Sequence, residues 1–357
     1  MKSGLVAVDL FCGAGGLSTG LQEAGLIVVG GVEIDSAYGE TFEANHPYAT
    51  LIEKDIRDVT AKEIKELTYG KKLHFLAGCP PCQGFSQLTE KHKRNDPRNQ
   101  LPLQMGRLVT ELEPDMVMME NVPGLARKGK LVLDKLIKLM ESKGYIVNYK
   151  VVCLADYGIP QTRRRLVLLA GKGFEIQIPE PTHSKNPSSG QKKWKTLKNA
   201  LGRLRKDPVT VSHALENGGP QAFNWHVVRD LKDITKERLK HLGEGSSRQD
   251  LPEHLRPNCH KGNKGFTNVY GRLAWDETPP TITRGCTTIS MGRFGHPTEL
   301  RALSVREAAA IQTFPASFKF KTDVIEKASI MVGNALPPKF AQIMSEACIK
   351  AYKKNRK

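Results

Sequence analysis

At 357 residues, with 39% hydrophobic and 25% charged side chains, the chain has a globular make-up, which excludes a disordered or fibrous class and leaves room for a catalytic core and a smaller second lobe. Its 54 lysines and arginines against 37 acids leave a net charge of +17, which points to a polyanionic partner, nucleic acid before any other; solubility kept by lysine is the plainer alternative. No run approaches ~18 consecutive apolar residues, so no membrane span is expected. The N-terminal apolar run is interrupted by Asp9 and too short for a signal peptide, so a cytoplasmic location is expected. The seven cysteines, at 12, 79, 82, 153, 259, 286 and 348, are odd in number and scattered, as free thiols in a reducing compartment are.

In chain order, Leu5 to Phe11 is a predicted buried strand, followed by a glycine-rich turn and a helix from Leu17 to Ala24 that stops at Gly25. Ile27 to Glu33 is a second strand, and His74 to Gly78 and Asp115 to Glu120 are further ones. A helix through Met105, Leu108, Val109 and Leu112 separates the last two, and Leu131 to Lys143 gives another helix, closed by Gly144. This alternation predicts an α/β fold: an open, mostly parallel sheet with helices on both faces. After Gly171 the character changes. Residues 185–206 hold eight basic side chains and no acid, and loops rich in Pro, Gly, Asn and His run to Pro297, the pattern of an inserted, irregular, basic lobe. Helix signals return with Ser304 and Glu307, spaced as a capping box, and with Lys339 to Tyr352. No internal repeat is present. The expected organisation is a catalytic domain over 1–171, a lobe over 172–298 and a C-terminal segment over 299–357 that returns to the catalytic domain.

Several stretches carry chemistry. Glycines 13, 15 and 16 join the first strand to the first helix, where a ligand can approach the backbone; Ser18 breaks the dinucleotide pattern, and a tight structural turn is the competing explanation. Glu33 ends the second strand, where a carboxylate can accept ribose hydroxyls. Asp55 is placed to receive an adenine amino group, or is a solvated loop charge. Cys79 and Cys82 form a C-x-x-C, open to redox, zinc or nucleophile readings; the nucleophile reading puts a thiolate at Cys82 on a turn that the preceding proline fixes. A polar loop from Gln87 to Gln100 with Lys91, Lys93, Arg94 and Arg98 suits closure over a phosphate backbone, or is an ordinary solvated loop. Glu120 ends a very apolar strand, a costly place for an acid without a partner or a task. Three arginines, 163 to 165, precede another strand.

Seven segments, DLFCGAGG at 9–16, GVEID at 31–35, GCPPCQGFS at 78–86, ENVPG at 120–124, QTRRR at 161–165, RALSVREAAAIQTFP at 301–315 and VGNALPP at 332–338, together resemble the C5-cytosine DNA methyltransferase family of bacterial and phage type, in the family's order and over nearly the whole chain. One departure is Leu336, where valine is more usual. The resemblance implies an S-adenosylmethionine-dependent, Rossmann-like fold and a target-recognition lobe over about 172–298. It implies Cys82 as the nucleophile that adds to carbon 6 of cytosine, with Glu120 at ring nitrogen 3 and the exocyclic amine. Arg165 would steady the exocyclic oxygen and Arg163 would support the site. It further implies that Phe11, Gly13, Gly15, Glu33, Ile34, Asp55, Ile56, Leu101 and Asn334 line the pocket for S-adenosylmethionine, with no metal. His226, Arg272, Arg284 and Arg293 are candidates for base or phosphate contact. A target carbon inside a duplex is out of reach, so the base must leave the stack. Implied partners are double-stranded DNA and a cognate restriction endonuclease, the protein acting as a nucleoid-associated monomer of prokaryotic style. A transfer-RNA cytosine methyltransferase and a catalytically silent DNA-binding homologue are the alternatives.

Overall fold

A computed structural model describes residues 4–81, 83–85, 96–202, 204, 207–258 and 267–356. The chain divides into two compact units, one of residues 1–157, 164–181 and 336–357, the other of residues 158–163 and 182–335. Composition placed boundaries at 171/172 and 298/299; by packing, the chain returns to the first unit at Leu336, and residues 299–335 group with the second.

In the first unit β1 (Val6–Leu10), α1 (Gly16–Glu23), β2 (Ile27–Glu33), α2 (Ser36–Asn45), β3 (Thr50–Glu53), α3 (Ala61–Leu67), β4 (Leu73–Gly78), α4 (Leu101–Leu112), β5 (Met116–Asn121) and α5 (Lys130–Glu141) alternate. β6 (Tyr145–Cys153) and β7 (Arg164–Lys172) follow. The seven strands form one sheet in the order β3-β2-β1-β4-β5-β7-β6. β1 to β5 pair in parallel, because a helix carries the chain back between each pair; β7 alone runs antiparallel to both its neighbours. The central strands β1, β4 and β5 are buried along nearly their whole length because both faces are covered. Along β5, Val117 and Met119 join a core with Leu108 of α4 and Leu133 and Leu136 of α5, whereas Met118 points the other way, its sulfur 3.9 Å from Ser345 Oγ. Ser345 belongs to the last helix of the chain, which crosses α1 so closely that a Cβ on Gly20 would stand 2.3 Å from the Pro338 carbonyl oxygen.

The second unit has little regular structure: α6 (Leu197–Leu201), α7 (Val211–Glu216), α8 (Asp233–Lys240), α9 (Val305–Ile311), α10 (Ile325–Asn334) and pairs of two-residue strands. Its order comes from buried polar anchors on small apolar clusters. Trp225 is fully buried and its indole N–H donates to the Phe320 carbonyl at 2.9 Å, while the Phe314, Phe318 and Phe320 rings pack on one another. The capping box at α9 forms: Glu307 N–H donates to Ser304 Oγ at 3.0 Å, and Ser304 N–H to Glu307 Oε2 at 2.7 Å. Glu307 also takes both Nη atoms of Arg301, at 2.7 and 2.8 Å. α11 (Pro338–Asn355), the final helix, belongs to the first unit. Among the described residues no helix is long and apolar enough to cross a membrane.

Candidate active site

The strand order reverses between β1 and β4, and in open α/β sheets ligands bind beyond the carboxyl ends of strands at such a point. Five parallel strands deliver sequence-predicted residues to that edge: Asp55 and Ile56 after β3, Glu33 and Ile34 at β2, Phe11, Gly13 and Gly15 after β1, the Cys79 stretch after β4, and Glu120 on β5.

The turn after β1 is unusual backbone. Phe11, Gly13 and Gly15 have φ of 59°, 52° and 93°, a region that costs a residue with Cβ and that glycine enters freely. No atom stands within 4 Å of where a Cβ on Gly13 would lie, so that face is open. At Gly15 a Cβ would meet the His46 ring at 2.5 Å. His46 is buried; its Nε2 donates to the Gly15 carbonyl at 3.1 Å and its Nδ1 lies 3.0 Å from Gln22 Oε1. Burial pushes its pKa down to about 4, against the contrary pull of the Gly15 hydrogen bond, so the ring is neutral. Glu33 joins the same turn: its Oε2 accepts Gly13 N–H at 2.9 Å, and its Oε1 accepts Ile34 N–H at 2.9 Å and Asp35 N–H at 3.0 Å. Burial raises its pKa above the usual carboxylate value, against these three amides, which favour the charged form.

Ile34, next along, is 63% exposed, an apolar side chain on offer to a ligand. Asp55 is engaged locally: its carboxylate accepts Arg57 Nε at 2.9 Å and Nη2 at 2.5 Å, which lowers its pKa. The Ile56 side chain is buried in the core, so that residue offers a ligand its backbone only, and its carbonyl already accepts Arg107 Nη2 at 3.1 Å. Phe11 and Leu101 are half-buried and pack against the same core.

Cys82 lies outside the described residues, as does most of the Gln87 to Gln100 loop. The residues flanking position 82 are held on both sides. The Pro80 carbonyl accepts Asn121 Nδ2 at 2.9 Å, Gly84 N–H donates to Asn99 Oδ1 at 3.1 Å, and a Cβ on Gly124 would stand 1.9 Å from the Phe85 carbonyl oxygen. Beside this turn, the antiparallel register that pairs Glu120 with Val167 brings the start of β7 alongside the end of β5. Arg165 Nε is 2.7 Å from Glu120 Oε1, with side chains 15% and 10% exposed. The contact has the distance of an ion pair without the direction of a hydrogen bond, and Oε1 has no hydrogen-bond partner among the described residues.

Arg163 and Asn334 lie in the second unit. Arg163 is buried and its Nη1 donates to the carbonyls of Ile282 at 2.9 Å and Gly333 at 3.3 Å. Gln161 Nε2 donates to Gln312 Oε1, and Gln312 Nε2 to the Val332 carbonyl. Three of the sequence segments are thereby joined around the stretch that ends in the exposed Asn334.

The arginines and the histidine expected to touch DNA divide sharply. Arg272 cannot do so from where it stands. It is buried, and Nε and Nη2 donate to the Leu239 carbonyl while Nη1 donates to those of His296, Pro297 and Glu299. Arg293 donates to the Gly245 carbonyl at 2.9 Å, and His226 Nδ1 lies 2.9 Å from the Ser304 hydroxyl. Arg284 is exposed and makes no hydrogen bond or ion pair among the described residues.

Sheet order and edge together define an α/β fold of the S-adenosylmethionine-dependent methyltransferase class. The chain belongs to the C-5 cytosine-specific DNA methylase family, whose profile matches residues 5–350. Among its relatives, the type II methylase M.HgiDII of Herpetosiphon aurantiacus is 37% identical over 347 residues, which cover 95% of this chain and 94% of that protein. The type II methyltransferase M1.HphI of Haemophilus parahaemolyticus is 33% identical, over 97% of this chain and 87% of that one. A crystal structure of a DNA modification methyltransferase encoded within an Escherichia coli prophage shares the fold, with a TM-score of 0.74, 24% identity and coverage of 98% and 99%.

Proposed function

We propose that this chain is the modification enzyme of a type II restriction-modification system, methylating carbon 5 of cytosine in a specific duplex sequence with Cys82 as nucleophile. The carrying observation is the buried Glu120–Arg165 pair beside a turn anchored two residues before and two residues after position 82.

The edge fits S-adenosylmethionine. The open face of Gly13, the Glu33 carboxylate and the exposed Ile34 offer close backbone approach, an acceptor for ribose hydroxyls and an apolar surface for the adenine ring. Phe11, Gly15, Leu101 and the backbone at Ile56 complete the set, with Asp55 turning from Arg57 to the adenine amine. When bound, the donor's sulfonium supplies the methyl group that carbon 5 accepts.

The chain's own residues do the rest. Carbon 5 of cytosine is a poor nucleophile. The Cys82 thiolate forms a bond to carbon 6, and the electron pair of the 5,6 double bond moves into the ring toward nitrogen 3, where a proton from Glu120 balances it. Glu120 also accepts from the exocyclic amine. Arg165 holds Glu120 and meets the exocyclic oxygen, where charge develops. After methylation, loss of the carbon 5 proton to solvent restores the double bond and expels Cys82 as thiolate, and nitrogen 3 returns its proton to Glu120. The target base leaves the stack to reach this edge. Arg163 supports the stretch before Asn334. The second unit recognises the sequence; the enzyme works as a monomer on nucleoid DNA, alongside an endonuclease cutting the same site. A match to the C-5 cytosine-specific DNA methylase family, with relatives at 37% and 33% identity named as a type II methylase and a type II methyltransferase, leaves the transfer-RNA and silent-homologue readings without comparable support.

The test is a duplex carrying 5-fluorocytosine at the target, incubated with S-adenosylmethionine. Fluorine cannot leave as a proton, so a denaturation-resistant protein–DNA complex accumulates with the natural chain and not with Cys82→Ser. A natural chain that methylates unmodified duplex but is never trapped overturns the covalent route, and one that transfers no methyl to DNA overturns the reading.

A further inference from the structure

We propose that Asn99 is a positioning residue for the nucleophile, which it orients through the backbone of Gly84; this rests on the assignment of Cys82 above. Between the last residue of β4 and the first of α4 the chain must present one thiol to a base that arrives from outside the fold, and a loop free at one end cannot hold a sulfur to the tolerance that bond formation needs. Upstream of position 82 the anchor is Asn121, the final residue of β5, through the Pro80 carbonyl. Downstream it is Asn99. Its side chain is buried, and its Oδ1 takes the buried Gly84 N–H at 3.1 Å across 15 residues of chain. Asn99 is itself fixed, because its own N–H donates to the Asp96 carbonyl at 2.9 Å within the short turn Pro97–Gln100. That turn runs straight into α4, whose Met105, Leu108 and Val109 are core residues. The turn carrying residue 84 is thus fastened to a rigid helix as well as to a central strand.

The chemistry asked of position 99 is narrow: an acceptor atom at the reach of an amide oxygen. Leucine has the size without the acceptor, alanine has neither, and aspartate keeps the acceptor. A buried Gly84 N–H left without its acceptor must move toward water or another acceptor, two residues from position 82.

The variants Asn99→Leu, Asn99→Ala and Asn99→Asp decide the matter in the full-length protein. For Leu and Ala the expected kcat for DNA methylation falls by about tenfold to a hundredfold, the scale of a misplacement of about 1 Å, and the trapping rate on 5-fluorocytosine duplex falls in step. KM for S-adenosylmethionine stays within about twofold, and Asn99→Asp recovers most of kcat. A second readout needs no methylation: alkylation of Cys82 by iodoacetamide, followed by peptide mass spectrometry, should change at least about threefold in the Leu variant and little in the Asp variant. Asn99→Leu with kcat and alkylation rate both within twofold of the natural chain overturns the proposal. So does a loss of kcat, S-adenosylmethionine binding and thermal stability in parallel that aspartate fails to restore, since that is a general structural role. If the natural chain itself transfers no methyl to DNA, the functional reading fails instead, and the alkylation rates still judge Asn99.

Discussion

The two units use polar side chains to opposite ends. In the first, parallel strands satisfy their own backbone, so the polar residues left at the sheet edge are available to shape loops and face ligands: Glu33 takes one amide of the glycine turn and two of the residues that follow it, and Glu120 meets Arg165. In the second, few backbone groups find ladder partners, and arginine supplies the missing donors. Arg306 donates to the carbonyls of Asn224, Pro315 and Phe318, Arg256 to those of Leu251 and Gln249, and Arg238 to that of Leu255. A planar guanidinium with five N–H groups can serve several carbonyls at once, which a lysine cannot do in that geometry. A basic excess in an irregular lobe is therefore two populations, one facing solvent and any polyanion, the other built into the interior.

The strongest way to break this contrast is at Arg272. Arg272→Leu keeps the bulk and leaves the buried carbonyls of His296 and Pro297 without their donor, each costing about 1–3 kcal/mol, and strips two further bonds from that of Leu239. The expected loss of stability is about 3–5 kcal/mol, read as a lower denaturant midpoint, with Arg272→Lys rescuing little. A leucine variant as stable as the natural chain would show that the second unit does not depend on buried arginine.

What the sequence disclosed follows the same division. β1, β4 and β5 were legible because a strand covered on both faces is a continuous apolar run, and α1 because Gly25 stops it. β3 gives no such signal, since its four residues are half-buried or exposed and carry no apolar run. Glu33 and Glu120 stood out as acids ending apolar strands. His46, Asn99 and Asn121 did not, because an imidazole or an amide is common in any sequence and theirs acquire meaning only through partners 31, 15 and 41 residues away. Arg272 was legible as charge alone, and charge pointed outward when the side chain turns inward. Local pattern shows which groups are unusual for their element; it does not show which carbonyl a side chain will reach.

Within the first unit, acid sharpens the comparison, because there a buried polar ring shapes a ligand turn instead of filling for missing ladders. His46 titrates near 4 in the folded chain against about 6.5 unfolded. Between those values the unfolded chain binds a proton that the folded chain refuses, so folding is progressively disfavoured as pH falls from about 6.5 to about 4. His46→Gln abolishes that term while the other titrating groups remain in both proteins. The variant's deficit in stability should therefore be smaller at pH 5 than at pH 8, by up to about 2 kcal/mol. A deficit equal at the two pH values would mean that His46 titrates as in water and does not buttress Gly15 as a neutral ring.

The smallest expected effect tests the outward-facing population. Arg284 is exposed, while its backbone is fixed: a Cβ on Gly333 would stand 2.2 Å from the Arg284 nitrogen. Arg284→Ala removes no interior contact, so stability should stay within about 0.5 kcal/mol. If its head meets a phosphate, the dependence of log affinity on log salt should flatten by about 0.9, with the preferred sequence unchanged, because a phosphate contact positions without reading bases. A relaxed sequence preference would instead make Arg284 a base-reading residue. An unchanged salt slope would leave it a solvated charge and shift the search for DNA contacts to lysines such as Lys192 and Lys193, which are exposed on a two-residue strand of the same unit.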